Sequence, residues 1–200
     1  MRSRRTASHA LRRRNPPQRS RPPGGPRLFL FLAFALAFLV APRLRAQNAL
    51  QREYEIKAAY LYNFINYIAW PADPPAGATL TVGILGESPF GLALEPLKGK
   101  QVKGRAIAVK QIASAKDLEQ CQIVFVCTSE KSRLPEILGH LKGAQVLTVS
   151  DIDGFAEQGG IINFISERNK VRFQINPEAA RRIGLTISSE LLKLAKLVKS

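Results

Sequence analysis

Side chains suited to catalysis are scarce in this chain. Its 200 residues include two histidines, two cysteines, one methionine and one tryptophan. Beyond the first 46 positions the only histidine is His140, on a polar stretch that ends a helix-like segment. Zinc sites use three or four His, Cys or carboxylate ligands at regular spacing, and no such set is present. No Gly-x-Ser-x-Gly elbow occurs, and no phosphate-binding Gly-x-x-x-x-Gly-Lys-Ser/Thr loop. Asp151-Ile152-Asp153-Gly154 opens like a calcium loop but lacks the third acidic ligand and the closing glutamate, so it reads as the turn after a strand. The residues offer no nucleophile–base pair, no metal ligands and no cofactor motif, and an enzyme is not expected.

Acidic residues are missing from the first 46 positions, where 11 of the 30 Lys and Arg fall. The formal net charge of +15 suggests nucleic acid. Without that stretch, 19 basic and 15 acidic residues remain, so a nucleic-acid partner is not expected. A long apolar run is missing too. Leu28–Ala41 (LFLFLAFALAFLVA) is 14 residues, short of the roughly 20 a membrane-spanning helix needs. It suits the apolar region of a signal peptide behind an Arg- and Pro-rich leader. Leu44-Arg45-Ala46 places a small residue at the cut. Residues 1–46 therefore read as a cleavable export signal with a long basic leader. Residues 47–200 read as one domain, with no stable membrane span after cleavage.

Gln51–Trp70 reads as a helix, with Leu50, Tyr54, Leu61, Phe64, Ile65 and Ile68 forming one apolar stripe and Trp70-Pro71 ending it. Tyr62 and Tyr67 fall off that stripe. Asp73–Ala78 is a Pro/Gly loop. Thr79–Leu85, Arg105–Ile112, Gln122–Cys127 and Gln145–Val149 read as strands. Between them lie helix-like segments at Phe90–Leu97, Ser114–Gln120 and Arg133–Leu141. Gly160–Ile165 and Val171–Ile175 are joined by five residues, which suits a hairpin. Asn176-Pro177 starts a helix that pauses at Gly184 and restarts at Ser188 or Ser189. Ile187, Leu191, Leu194, Ala195 and Val198 are expected on one face of it. The expected fold is α/β: a mainly parallel sheet flanked by helices on both faces, with a C-terminal β-hairpin and terminal helix.

Cys127 ends the strand Gln122–Cys127 and Cys121 sits just before it, so the two are treated as lying along one strand. Six residues at ~3.3 Å each separate them by ~20 Å, while a disulfide needs Cα atoms within about 7 Å. They read as two buried thiols, with an interchain bond as the alternative. Lys57 and Arg172 near the Asn176 cap are candidates for an anion or small-ligand site, with Arg181 and Arg182 close by in sequence. The hairpin carries a charged tip on an apolar ribbon, which makes Phe164, Glu167, Arg168 and Lys170 candidates for a partner-binding surface.

The segments Ile56–Pro71 (IKAAYLYNFINYIAWP), Val82–Gly91 (VGILGESPFG), Leu97–Val109, Cys121–Glu130 (CQIVFVCTSE) and Val146–Ala195 follow one another as in the YfiR family of periplasmic proteins, and the chain resembles that family along nearly all of residues 47–200. The resemblance implies a periplasmic regulator that dimerises and represses an inner-membrane diguanylate cyclase, or another membrane sensor protein, by binding its periplasmic part. It also implies disulfide-linked stability and redox response, from which this chain departs by its cysteine count and spacing. A soluble repressor needs a differential contact with one state of its partner rather than a catalytic group. The competing expectation is a periplasmic small-ligand binder that signals to another membrane receptor.

Overall fold

A computed structural model describes residues 48–71, 75 and 77–199. The expected export signal and half of the Asp73–Ala78 loop (Asp73, Pro74 and Ala76) lie outside the described residues. Helix α1 runs over 48–67 and passes directly into β1 (Ile68–Ala69). β2 (Leu80–Leu85) is followed by turns and a short 3-10 helix at Glu95–Leu97, then β3 (Gln101–Val102) and β4 (Arg105–Ile112). Next come α2 (Ala115–Leu118), β5 (Ile123–Val126), a 3-10 turn at Thr128–Arg133, α3 (Leu134–His140) and β6 (Leu147–Ser150). The chain closes with β7 (Ile162–Glu167), β8 (Lys170–Ile175), α4 (Pro177–Arg182), β9 (Thr186–Ile187), α5 (Ser189–Leu194) and β10 (Lys196–Leu197).

Eight of these strands form one sheet in the order β10-β8-β7-β6-β5-β2-β4-β3. β4, β2, β5, β6 and β7 run parallel to their neighbours, while β8 returns antiparallel to β7. A parallel sheet must be covered on both faces, and the residues of β2, β5 and β6 are buried throughout. On one face α1 lays Leu61, Phe64 and Ile65 against Val82, Phe125, Phe164 and Phe173. Phe64 meets Phe164 at 5.8 Å and Phe173 at 5.4 Å. On the other face α2, α3 and the segment after β6 supply Leu118, Leu134, Ile137, Ile152 and Phe155 against Val124 and Val126. The α/β class, the parallel sheet with helices on both faces and the C-terminal hairpin are as the sequence implies.

Several boundaries differ from expectation. The first helix stops at Tyr67 because Ile68 and Ala69 pair antiparallel with Ile187 and Thr186 of β9. Leu50 is 52 % exposed and leaves the apolar stripe. Phe90–Leu97 forms turns and a 3-10 helix rather than an α-helix, with Pro96 inside it. The terminal helix ends at Leu194. Ala195 turns extended, and Lys196–Leu197 pair with Gln174–Ile175 of β8, so an open sheet edge competes successfully with continued helix. Leu194 is 67 % exposed instead of lining a buried face.

The hairpin is also tighter than five connecting residues. Its ladder runs from Ile162↔Ile175 to Glu167↔Lys170, leaving Arg168-Asn169 as a two-residue turn. Both residues have positive φ, 51° and 59°. Such a turn matches the twist of the strands but strongly prefers Asn-Gly, because a long side chain is strained in the left-handed region. The double substitution Arg168→Asn with Asn169→Gly should stabilise the domain by about 1 kcal/mol. The gain will read as a higher guanidinium midpoint at unchanged m-value.

Candidate functional site

β2, β5 and β6 end in register: Leu85 lies beside Val126, and Val126 beside Ser150. Their next residues, Gly86, Cys127 and Asp151, therefore share the carboxyl edge of the sheet. After β2 the chain goes to β4 on one side and then to β5 on the other. Doubly wound sheets place ligands at this kind of switch point. Here the loops close over it: the Glu87 backbone N–H donates to Ser129 Oγ at 2.9 Å.

Beside this point a polar cluster joins α1 to the end of β6. Lys57 Nζ and Tyr54 OH each donate to Asp151 Oδ2 at 2.7 Å, and Thr128 Oγ1 donates to Oδ1 at 3.1 Å. Glu53, one helical turn before Lys57, accepts a second ion pair from Nζ at 2.7 Å. The Lys57 side chain is 5 % exposed and that of Asp151 10 %, whereas Glu53 reaches solvent at 38 %. A lysine buried in apolar surroundings needs such partners to remain charged. Burial, reinforced by the hydrogen bond to Asp151, pushes the Tyr54 hydroxyl well above its ordinary range, so it stays protonated and donates.

Buried polar side chains set the position of Asp151. Ser150 Oγ donates to Val126 O at 2.7 Å and accepts from Ile152 N at 3.0 Å. Asn163 Nδ2 lies 3.0 Å from Ile152 O, and its Oδ1 accepts from Phe155 N. Gly160 leaves room for the Phe155 ring, which a Cβ would meet at 2.1 Å. The Asp151–Gly159 turn is thus pinned from β5, β6 and β7.

The candidate ligand residues are engaged separately or exposed. Lys57 is occupied by Asp151 and Glu53. Asn176 caps α4 by accepting from Ala179 N, while its Nδ2 donates to Ala156 O. Arg172 lies exposed on β8. Of the hairpin residues, Glu167, Arg168 and Lys170 are exposed at the tip. Phe164, expected on that surface, lies instead in the core: it is 2 % exposed and packs among Phe64, Tyr60 and Phe125. The alternation of β7 turns it to the core. From sequence, Asp151 reads only as part of a turn and Tyr54 only as part of an apolar stripe. The only signal was polar residues flanking an apolar strand.

A cleft of about 710 Å³ opens between α3 and α4. Leu138, Leu141, Val146, Ile161 and Ile183 line it, with Lys142 among its polar lining residues.

Cys121 and Cys127 are both free and buried, in the cores on opposite faces of the sheet. Cys121 packs over Gly83, where a Cβ would come within 2.7 Å of its sulfur. Burial pushes both thiols up, Cys127 to about 12 with Asp151 and Glu130 adding to the effect. Thiol reagents act on the thiolate. The native protein should leave both thiols unmodified by a disulfide reagent at pH 8 and expose both in guanidinium. Because folding raises the Tyr54 and Cys127 values, the folded state holds those protons more tightly. The associated stability is complete below the unfolded values of ~8.5–10 and is lost as pH rises through the folded ones. The denaturation midpoint should hold steady from neutral pH and fall above about pH 9.

Asp151→Ala leaves Lys57 buried with only Glu53. The expected cost is about 2–4 kcal/mol in chemical denaturation, somewhat below a fully orphaned charge. Removing both members, Lys57→Met with Asp151→Leu, should recover most of that loss.

Among solved structures the chain is similar to an ABC domain in complex with L-Trp from Streptococcus pneumonia. The identity is 14 % and the TM-score 0.44, over 60 % of this chain and 55 % of that one. It is also similar to a conserved domain protein from Vibrio cholerae O1 biovar El Tor str. N16961, at 12 % identity and TM-score 0.49, over 73 % of this chain and 60 % of that one. The chain thus spans a little over half the length of each. The YfiR/HmsC-like family profile matches residues 54–196, from Tyr54 of the polar cluster to the first residue of β10. That match covers most of the sequence, and the chain belongs to the YfiR/HmsC-like family.

Proposed function

We propose that residues 47–200, freed from their leader by cleavage after Ala46, act in the periplasm as a repressor. The domain binds the periplasmic sensor part of an inner-membrane diguanylate cyclase, or of a related membrane sensor protein, and holds it inactive. It does so as a homodimer. Family membership carries this reading: YfiR/HmsC-like proteins are periplasmic regulators of diguanylate-cyclase signalling. Two further observations agree with it. Among the described residues no helix is long and apolar enough to cross a membrane. The polar side chains at the carboxyl edge pair with one another, an arrangement that suits holding α1 on the sheet more than turning over a substrate.

Deleting the gene should raise cellular cyclic-di-GMP, and restoring the full-length chain should lower it. A version lacking residues 1–46 should not restore it, since the domain then stays in the wrong compartment. An unchanged cyclic-di-GMP level on deletion overturns the reading.

The cleft between α3 and α4 favours a second reading, a small-ligand binder signalling to another receptor. Its volume of about 710 Å³ and apolar lining suit a small molecule. Thermal shift against a metabolite panel separates the two. A ligand at a hundredfold its Kd stabilises by about 2.7 kcal/mol, and a panel without any shift removes this alternative.

A further inference from the structure

The positive charge of the domain is polarised. Residues 47–167 carry 11 basic against 13 acidic side chains, while residues 168–199 carry 8 against 2. Six of those eight, Arg168, Lys170, Arg172, Lys193, Lys196 and Lys199, fall on the hairpin turn, β8, α5, β10 and the residues just after it. All six are exposed. Leu194 and Leu197 sit among them, 67 % and 54 % exposed. Two exposed leucines on so basic a stretch of chain favour a recognition surface over a plain solvated face.

The same region holds an open sheet edge. Val198 N donates to Ile175 O at 2.9 Å, so Ile175 turns its main-chain groups away from β7 and toward β10. Main-chain direction alternates along a strand, so Val171 and Phe173 share that phase. β10 pairs only with Gln174 and Ile175. Beside Lys170–Arg172 no strand lies on that side among the described residues. On the other side β6 reaches only Ile162 and Asn163, so the outer part of the hairpin extends past the sheet.

We propose that this outer edge of β8 is a strand-addition site for an extended acidic segment of a partner protein, whose apolar residues rest on Leu194 and Leu197. The proposal rests on the reading above that the domain binds a polypeptide, and it specifies which surface and which chemistry. Main-chain bonds along an open edge give affinity, and the flanking side chains select the sequence. A second copy is the poorer occupant. Antiparallel pairing of two β8 edges sets Lys170 and Arg172 against their own counterparts, and directly opposed like charges destabilise a sheet pair. The same cations that repel another copy attract a segment rich in Asp and Glu.

Two measurements on residues 47–200 decide it. The first is affinity for the periplasmic part of the cyclase. Lys170→Glu with Arg172→Glu should weaken binding at least about tenfold, mainly through slower association, whereas Lys110→Glu on β4 should change it little. Lys170→Gln with Arg172→Gln serves if the reversed pair fails to fold. The second is titration with a short acetylated peptide of alternating Glu and Val, with alternating Lys and Val as control. The acidic peptide should bind more tightly and protect the Val171 amide from hydrogen exchange.

If the parent domain binds the cyclase and the β8 variants bind equally well, the strand-addition site is wrong and the functional reading stands. If the parent domain does not bind, the functional reading falls and the peptide titration still decides the edge. Equal affinity for the two peptides overturns the proposal. Loss of a parent dimer on charge reversal overturns it in favour of a second copy.

Discussion

A sheet of parallel strands has no face to spare for water, and the fold depends on how its two apolar faces are covered. Helix α1 alone supplies most of one cover. Its Leu61, Phe64 and Ile65 are fully buried, and Phe64 lies at the centre of an aromatic cluster that reaches β7 and β8. The opposite face is covered piecemeal by α2, α3 and the turn after β6. That turn can lie on an apolar face only because Ser150 and Asn163 satisfy its main-chain groups from within the core.

The two covers meet electrostatically at the carboxyl edge. Asp151 leaves the end of β6 and receives Lys57 and Tyr54 from α1. One carboxylate therefore couples the helix over the first face to the turn over the second. The place where an α/β enzyme would keep its ligand is here filled by the protein's own ion pair and loops. The exposed basic residues lie farther out, on a hairpin and C-terminal edge that the core supports without enclosing. A regulator that works by contact has that division of labour: a closed interior and a charged, partly open rim.

Much of this was legible because burial writes a period into sequence. The four parallel strands around β2 are short apolar runs separated by helix-length segments, and each was visible within a residue or two. The Asn176-Pro177 start of α4 was visible as well, and the Asn176 side chain does cap it. Two of the misread boundaries share one cause. Leu194 and Val198 fit a helical face, yet the chain after Ala195 pairs with β8 instead. Ile68 and Ala69 continue the α1 stripe, yet they pair with β9. In both cases a distant strand offered hydrogen bonds that no local pattern announces.

The candidate site divides along the same line. Local chemistry by itself determined the α/β class, the buried thiols too far apart to join, the charged hairpin tip and the family resemblance. Each depends on residues close together in the chain or on their order along it. Tertiary structure alone decided that Lys57 belongs to Asp151, 94 positions away, that Phe164 faces inward, and that β10 pairs with β8 beside the basic hairpin. Those outcomes depend on which strands become neighbours and on the pleat that sends alternate side chains to opposite faces. Neither is written in any short window of sequence.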